Sequence, residues 1–90
     1  MITPYVLDIP EEIDKIFLKL GKRDKIQLEA IHKKIKQILQ DPHHFKPMRG
    51  DMKGSRRVHI DSSFVLTYEI DEVNKVVKVL DYDHHDNIYD

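Results

Sequence analysis

Two short pieces of this chain hold side chains that could share one reaction. Residues 46–60, KPMRGDMKGSRRVHI, carry Lys46, Arg49, Lys53, Arg56, Arg57 and His59; the last seven residues, HHDNIYD, add His84, His85 and Tyr89. Imidazole titrates near neutral pH and can act as acid or as base. Ammonium and guanidinium groups stabilise charge that builds on phosphoryl oxygens, and an exposed tyrosine can stack on an unpaired base. These are the parts needed to cleave an RNA phosphodiester. A base takes the 2′-hydroxyl proton, an acid protonates the leaving oxygen, and cations hold the phosphate. Because the 2′-hydroxyl is an internal nucleophile that the protein need only position, no metal or other cofactor is called for.

Other readings of the same residues compete. Asp83, His84, His85 and Asp86 offer metal-ligand types, but neighbours on an extended segment point apart and no familiar metal spacing occurs, so no metal site is expected. Tyr89 could as well close the edge of a sheet as touch RNA, and His85, taken alone, is evenly divided between the same two roles. Lys33, Lys34 and Lys36 fit a solvated helix face better than an RNA contact.

The chain as a whole sets limits on these readings. Its 90 residues suffice for one domain with one core, residues 1–90. A composition 40% hydrophobic and 34% charged is that of an ordinary soluble protein. There is no apolar run long enough to cross a bilayer and no basic-then-apolar opening, and no cysteine for a disulfide or thiolate metal site. A cytoplasmic protein with no membrane partner is expected. The formal net charge of −1 conceals an asymmetry: residues 1–60 hold thirteen Lys and Arg against eight Asp and Glu, and residues 61–90 hold two against eight. A polyanion would meet the local field of the basic strip rather than the total.

The elements that must position the two pieces can be read from periodicity. Residues 3–7 read as a strand. Asp8 with Glu11 makes a capping box and Pro10 suits a first helical turn. Ile13, Ile16, Phe17 and Leu20 then recur at helical spacing, and Gly21 would end this helix in the left-handed conformation. Asp24 with Gln27 starts a second helix whose buried stripe is Leu28, Ile31, Ile35, Ile38 and Leu39, stopped by Asp41-Pro42. From His43 the pattern changes to an extended arm over residues 43–53, with turns at Lys46-Pro47 and Arg49-Gly50-Asp51. Strands follow at 55–61, 64–70 and 76–82. In the first of them Val58 and Ile60 face one way and Arg57, His59 and Asp61 the other. Phe64, Leu66, Tyr68 and Ile70 alternate along the second, and Val77 and Val79 share a face of the third. The predicted architecture is α+β: an N-terminal strand, an antiparallel helical hairpin, then an antiparallel β-meander packed against the helices. The sheet face away from the helices is left for a site.

Three stretches in this order, Lys46-Pro-Met-Arg-Gly, Gly54-Ser-Arg-Arg-Val-His59-Ile and Phe64-Val-Leu-Thr-Tyr68, followed by His85 and Tyr89, make the chain resemble the RelE/YafQ-type toxins. These are small messenger-RNA endonucleases of bacterial and archaeal toxin–antitoxin systems. The resemblance covers nearly the whole chain and is stronger to the YafQ-like branch, which offers histidine where RelE relies on Lys and Arg. It implies His59 and His85 as catalytic, with His85 foremost in proton transfer. It implies Tyr89 as the aromatic that contacts the base or assists transfer, and Arg56 as a phosphate-binding or structural arginine. Lys46 stands where the branch has a functional histidine, and Ser63 where it has an acidic residue. Lys46 can stabilise phosphate charge but is a poor base near neutral pH. With Arg49, Lys53, Arg57 and His84 completing the RNA-binding set, the implied function is ribosome-associated cleavage of messenger RNA. A cognate antitoxin would wrap the protein and block the site. An inactive module that keeps the fold and the antitoxin is the alternative.

Overall fold

The structure, a computed structural model, describes residues 4–48 and 54–88. In chain order these form β1 (Val6–Asp8), α1 (Glu11–Arg23), α2 (Lys25–Gln40), β2 (Ser55–Ile60), β3 (Phe64–Asp71), β4 (Val76–His84) and the single turn α3 (His85–Ile88). The sheet order is β1-β4-β3-β2. β2, β3 and β4 make the expected antiparallel meander, and β1 adds to β4 in parallel, with Val6 opposite Val76 and Asp8 opposite Lys78.

That parallel pairing changes the start of α1. Asp8 is the last residue of β1 and caps nothing; the N-cap is Pro10, whose carbonyl accepts from the N–H groups of Ile13 and Asp14 at 3.0 and 2.9 Å. Glu11, Glu12 and Asp14 in the first turn place negative charge at the positive end of the helix dipole. Gly21 does not end α1 but lies inside it, where a Cβ would sit 3.4 Å from Leu28 Cδ2 of α2. The boundary between the helices is Asp24, whose carboxylate accepts from the Gln27 N–H at 3.0 Å, as the sequence predicts.

Ile13 and Phe17 of α1 and Ile31, Ile35 and Ile38 of α2 bury against Val58, Ile60, Leu66, Tyr68, Val77, Val79 and Tyr82 on one sheet face. Ile16, expected in the stripe, is exposed. Tyr82 links the layers: its hydroxyl accepts from Gln27 Nε2 at 2.7 Å, and its ring stacks on Phe64 and meets Phe17 edge-on. Burial raises the ionisation range of Tyr82, and that of Tyr68 to about 12, so both hydroxyls stay protonated donors at neutral pH. Tyr68 donates to the Pro42 carbonyl at 2.7 Å and fixes the chain leaving α2.

Two irregularities matter for the site. β2 stops at Ile60, and Asp61, expected on the strand's outer face, takes φ 54° in the turn before β3, a conformation that Asp adopts more readily than most residues. In β4 the register shifts by one: Tyr68 is opposite Val79 but Thr67 is opposite Asp81, so Leu80 is an extra, bulged residue.

Central β3 is buried on both faces. Val65 and Thr67, which point away from the helices, are as inaccessible as Leu66 and Tyr68. The outer face is therefore covered along β3 rather than bare. Among the described residues Thr67 Oγ1 is buried with no hydrogen-bond partner. The two buried hydroxyls should respond oppositely to removal. Tyr82→Phe should lower the unfolding free energy by about 1–2 kcal/mol by stranding the Gln27 amide, whereas the near-isosteric Thr67→Val should hold or raise it. Urea midpoints of the two variants measure the difference, and a Thr67→Val loss equal to that of Tyr82→Phe would contradict this packing.

Candidate active site

The bulge at Leu80 decides which side chains of β4 face outward. Before it Val77 and Val79 point to the helices; after it Tyr82 and His84 do, and Asp81 and Asp83 take the outer face. The chain then turns into α3 over that outer face, where the His85 N–H donates to the Ser63 carbonyl at 2.7 Å. Asp83 reinforces the turn by accepting from the His84 N–H at 2.7 Å and from Asn87 Nδ2 at 3.1 Å. The Asn87 bond, then the backbone bond, hold the Asp83 carboxyl below its usual range, so it stays ionised.

These contacts bring the tail to β2. The His85 ring lies 5.8 Å from the His59 ring between centroids, inclined at 32°. His59 is exposed and sits opposite Val65, on the face away from Val58 and Ile60. Two residues back along β2, Arg57 shares that face and is half-buried. Its Nη1 donates to the Pro47 carbonyl at 3.0 Å and contacts Met48 Sδ at 3.7 Å.

The arm after α2 completes the wall. It runs antiparallel to β2 as a short edge pairing, with Met48 N–H donating to Ser55 O at 2.8 Å and Arg57 N–H to Lys46 O at 3.1 Å. Between arm, α2 and β2 lies a cleft of about 510 Å³ lined by Lys34, His44, Phe45, Lys46, Arg57, Val58 and His59.

The structure thus gathers Lys46, Arg57 and His59 around one cleft, with His85 beside His59. It does not bring His84 there. That ring packs edge-on against Phe64, 5.5 Å between centroids, on the helix side, and its Nδ1 accepts from the Asp86 N–H at 3.2 Å. Arg56 also lies on the helix side, because its position has the parity of Val58 and Ile60. Its Nη1 donates to the carbonyls of Phe45 at 2.7 Å and His43 at 3.3 Å, a structural use that holds the arm. Ser63 serves the fold through its carbonyl. Arg49, Lys53 and Tyr89 lie outside the described residues. Among those described, no three His, Cys, Asp or Glu gather as metal ligands would. His44 and Phe45 carry no functional expectation from the sequence, and Lys34 reads there as part of a solvated face, yet all three line the cleft. Lys34 leans over Phe45 instead of standing with Lys33 on a solvated face, 6.0 Å from the ring centroid.

A polar knot anchors the base of the arm. Glu72 in the β3–β4 turn accepts from Lys75 Nζ and the Tyr5 hydroxyl, both at 2.7 Å, and lies 2.6 Å from His43 Nε2. Lys75 first, then Tyr5 and His43, hold the Glu72 carboxyl down at about 2.

Residues 9–90 match the family described as ParE-like toxin of type II bacterial toxin–antitoxin system. The protein named RelE4 of Methanocaldococcus jannaschii is 53% identical over 85 residues, which span 94% of this chain and 90% of that protein. A chain of the intact Escherichia coli RelBE toxin–antitoxin complex superposes with a TM-score of 0.72 at 26% identity, over 87% of this chain and 93% of that one. YafQ from E. coli strain BL21(DE3) also superposes at 0.72, over 96% of this chain and 99% of that one, with 12% identity. The chain belongs to the ParE-like toxins of type II toxin–antitoxin systems. Its fold is that of the RelE and YafQ toxins, but the expected closeness to the YafQ-like branch is not carried by overall identity, which is higher to the RelBE chain.

The Glu72 knot gives a signed pH prediction. Its folded value lies below the ordinary 4.5, so its contribution is complete above pH 4.5 and drains as pH falls toward 2. The melting temperature of wild type minus that of Glu72→Gln should therefore shrink over that interval. A difference constant from pH 6 to pH 2.5 would contradict the knot.

Proposed function

We propose that this toxin is an endoribonuclease that cuts messenger RNA by attack of a 2′-hydroxyl on the adjacent phosphorus. The observation that carries the reading is the His59–His85 pair, two imidazoles 5.8 Å apart over the sheet's outer face, flanked by the cleft that Lys46 and Arg57 line. In the reaction one imidazole takes the 2′-hydroxyl proton as the new O–P bond forms. The other protonates the 5′-oxygen as its bond to phosphorus breaks, leaving a 2′,3′-cyclic phosphate and a 5′-hydroxyl. His85 and His59 share these roles, His85 being the principal proton-transfer group. Lys46 and Arg57 face the phosphoryl oxygens on which charge develops. The resemblance to RelE/YafQ toxins adds Arg49 and Lys53 as phosphate contacts and Tyr89 as the group that positions the base. Positioning and proton transfer supply the catalysis, without a metal.

The 90 residues act as one unit in the cytoplasm, on messenger RNA held by the ribosome. A cognate antitoxin silences the toxin, as the complex of the related RelBE chain suggests. Among the described residues no helix is long and apolar enough to cross a membrane.

Expression of wild type, His85→Ala and His59→Ala in parallel tests the reading. Wild type should arrest growth and produce new messenger 5′ ends. His85→Ala should lower cutting by about two to four orders of magnitude, the usual contribution of a positioned acid or base, and His59→Ala should also impair it. Equal, negligible effects of all three at matched expression would instead favour a binding module without nuclease activity.

A further inference from the structure

Three of the cleft's lining residues, Lys34, His44 and Phe45, have no part in the proton transfers just described. They come from α2 and the arm, and form the wall of the cleft that His59 does not. The rings of His44 and Phe45 stand edge to face, centroids 5.1 Å apart at 84°. Their backbone is fixed, since the His44 N–H donates to Asp41 O at 3.2 Å and Phe45 O accepts from Arg56 at 2.7 Å. The aromatic pair is therefore held in place rather than carried on a loose loop.

The lining includes the basic side chains Lys34, Lys46 and Arg57, and among the described residues no carboxylate. The larger groove, about 800 Å³ on the helical hairpin, differs: Asp14 and Glu29 stand there beside Lys33 and Lys36, among apolar side chains. The cleft at β2 sets the ammonium groups of Lys34 and Lys46 beside the aromatic surface of His44 and Phe45. That combination suits single-stranded nucleic acid, whose phosphates seek cations and whose unpaired bases stack on rings. Its volume falls within the range of small-ligand sites, and it opens beside the histidine that would act on the neighbouring phosphate.

We propose that Lys34, His44 and Phe45 form a nucleotide subsite that receives the unpaired base next to the cleaved bond. The base stacks against the His44–Phe45 pair, and its phosphate faces Lys34 and Lys46. The inference rests on the nuclease reading and deepens it: the catalytic pair breaks the bond, and this wall selects which base stands beside it. Stacking tolerates every base but rewards large ones, so a graded preference follows rather than a strict code.

Cut sites on translated messenger RNA are mapped for wild type, Lys34→Gln, His44→Ala and Phe45→Leu at matched expression. Phe45 packs partly against the core, so leucine keeps apolar bulk while removing the ring face. His44 is exposed and can be truncated without opening the core. His44→Ala and Phe45→Leu should lower cutting at preferred sites by about fivefold to a hundredfold, the range of one lost base-stacking contact, and flatten the base preference beside the cut. Lys34→Gln should weaken cutting evenly across sequences, as a lost phosphate contact does. Wild-type rates and preferences in His44→Ala and Phe45→Leu would overturn the subsite, as would a uniform loss in them with preferences unchanged. Should wild type leave messenger RNA uncut, the nuclease reading fails and the subsite is judged separately, by fluorescence anisotropy with a labelled, fully 2′-O-methylated octanucleotide. Weaker binding by His44→Ala and Lys34→Gln would then support it; equal binding by all, or none by wild type, would overturn it.

Discussion

One extra residue in β4 governs where the end of the chain can go. A strand alternates faces strictly, so without the bulge at Leu80 the side chains at 81 and 83 would point into the helical layer. With it, Tyr82 keeps the core position against Phe17 and Phe64, and the acidic residues turn outward. The same shift lets α3 begin over the outer face, where the Ser63 carbonyl receives the His85 N–H. Aromatic packing on one side of the strand and an imidazole on the other are thus two results of one change in register. The Asp83–Asn87 contact then fixes the turn that carries the ring.

The charge distribution follows from the same topology. β2 lies at one sheet edge and draws its cationic partners from the arm and from α2, while β4 lies two strands away with its carboxylates outward. Positive charge is concentrated at the β2 edge, and Asp81 and Asp83 stand across Thr67 and Val65 from it. An anionic strand approaching the outer face would be drawn toward the β2 side and repelled from the other. Arg56 and Arg57, adjacent in sequence, serve opposite ends of this design. One crosses to the helix face to hold the arm by its carbonyls, and the other stays on the outer face beside the cleft.

Part of this fold is legible in the sequence. The stripe of α2, the Asp24–Gln27 start and the alternation through β2 and β3 are local patterns, and local patterns survive folding when burial rewards them. From alternation alone His59 and Arg57 fall on the face opposite Val58 and Ile60. Three features are not legible for a shared reason: each depends on contact with another element. Asp8 reads as a cap until β4 recruits it into a strand, and Gly21 reads as a stop until Leu28 packs beside it. The bulge leaves no compositional mark, so the facing of residues 81–85 could not be read from the sequence. Arg56 is a different case, since the alternation that placed Arg57 outward already placed Arg56 with Val58. The Lys34–His44–Phe45 wall needed the arm's path along β2, which no spacing in the sequence specifies.

The claim on which everything turns is that the paired imidazoles shuttle the proton of a ribose hydroxyl. It is tested most directly by an RNA carrying one 2′-deoxy substitution at a mapped cleavage point, presented to the toxin beside its all-ribose counterpart. The account predicts that the all-ribose strand is cut to a 2′,3′-cyclic phosphate and a 5′-hydroxyl, and that the substituted strand stays intact at that bond. Cutting of both strands at equal rates, or a 5′-phosphate on the product, would contradict it.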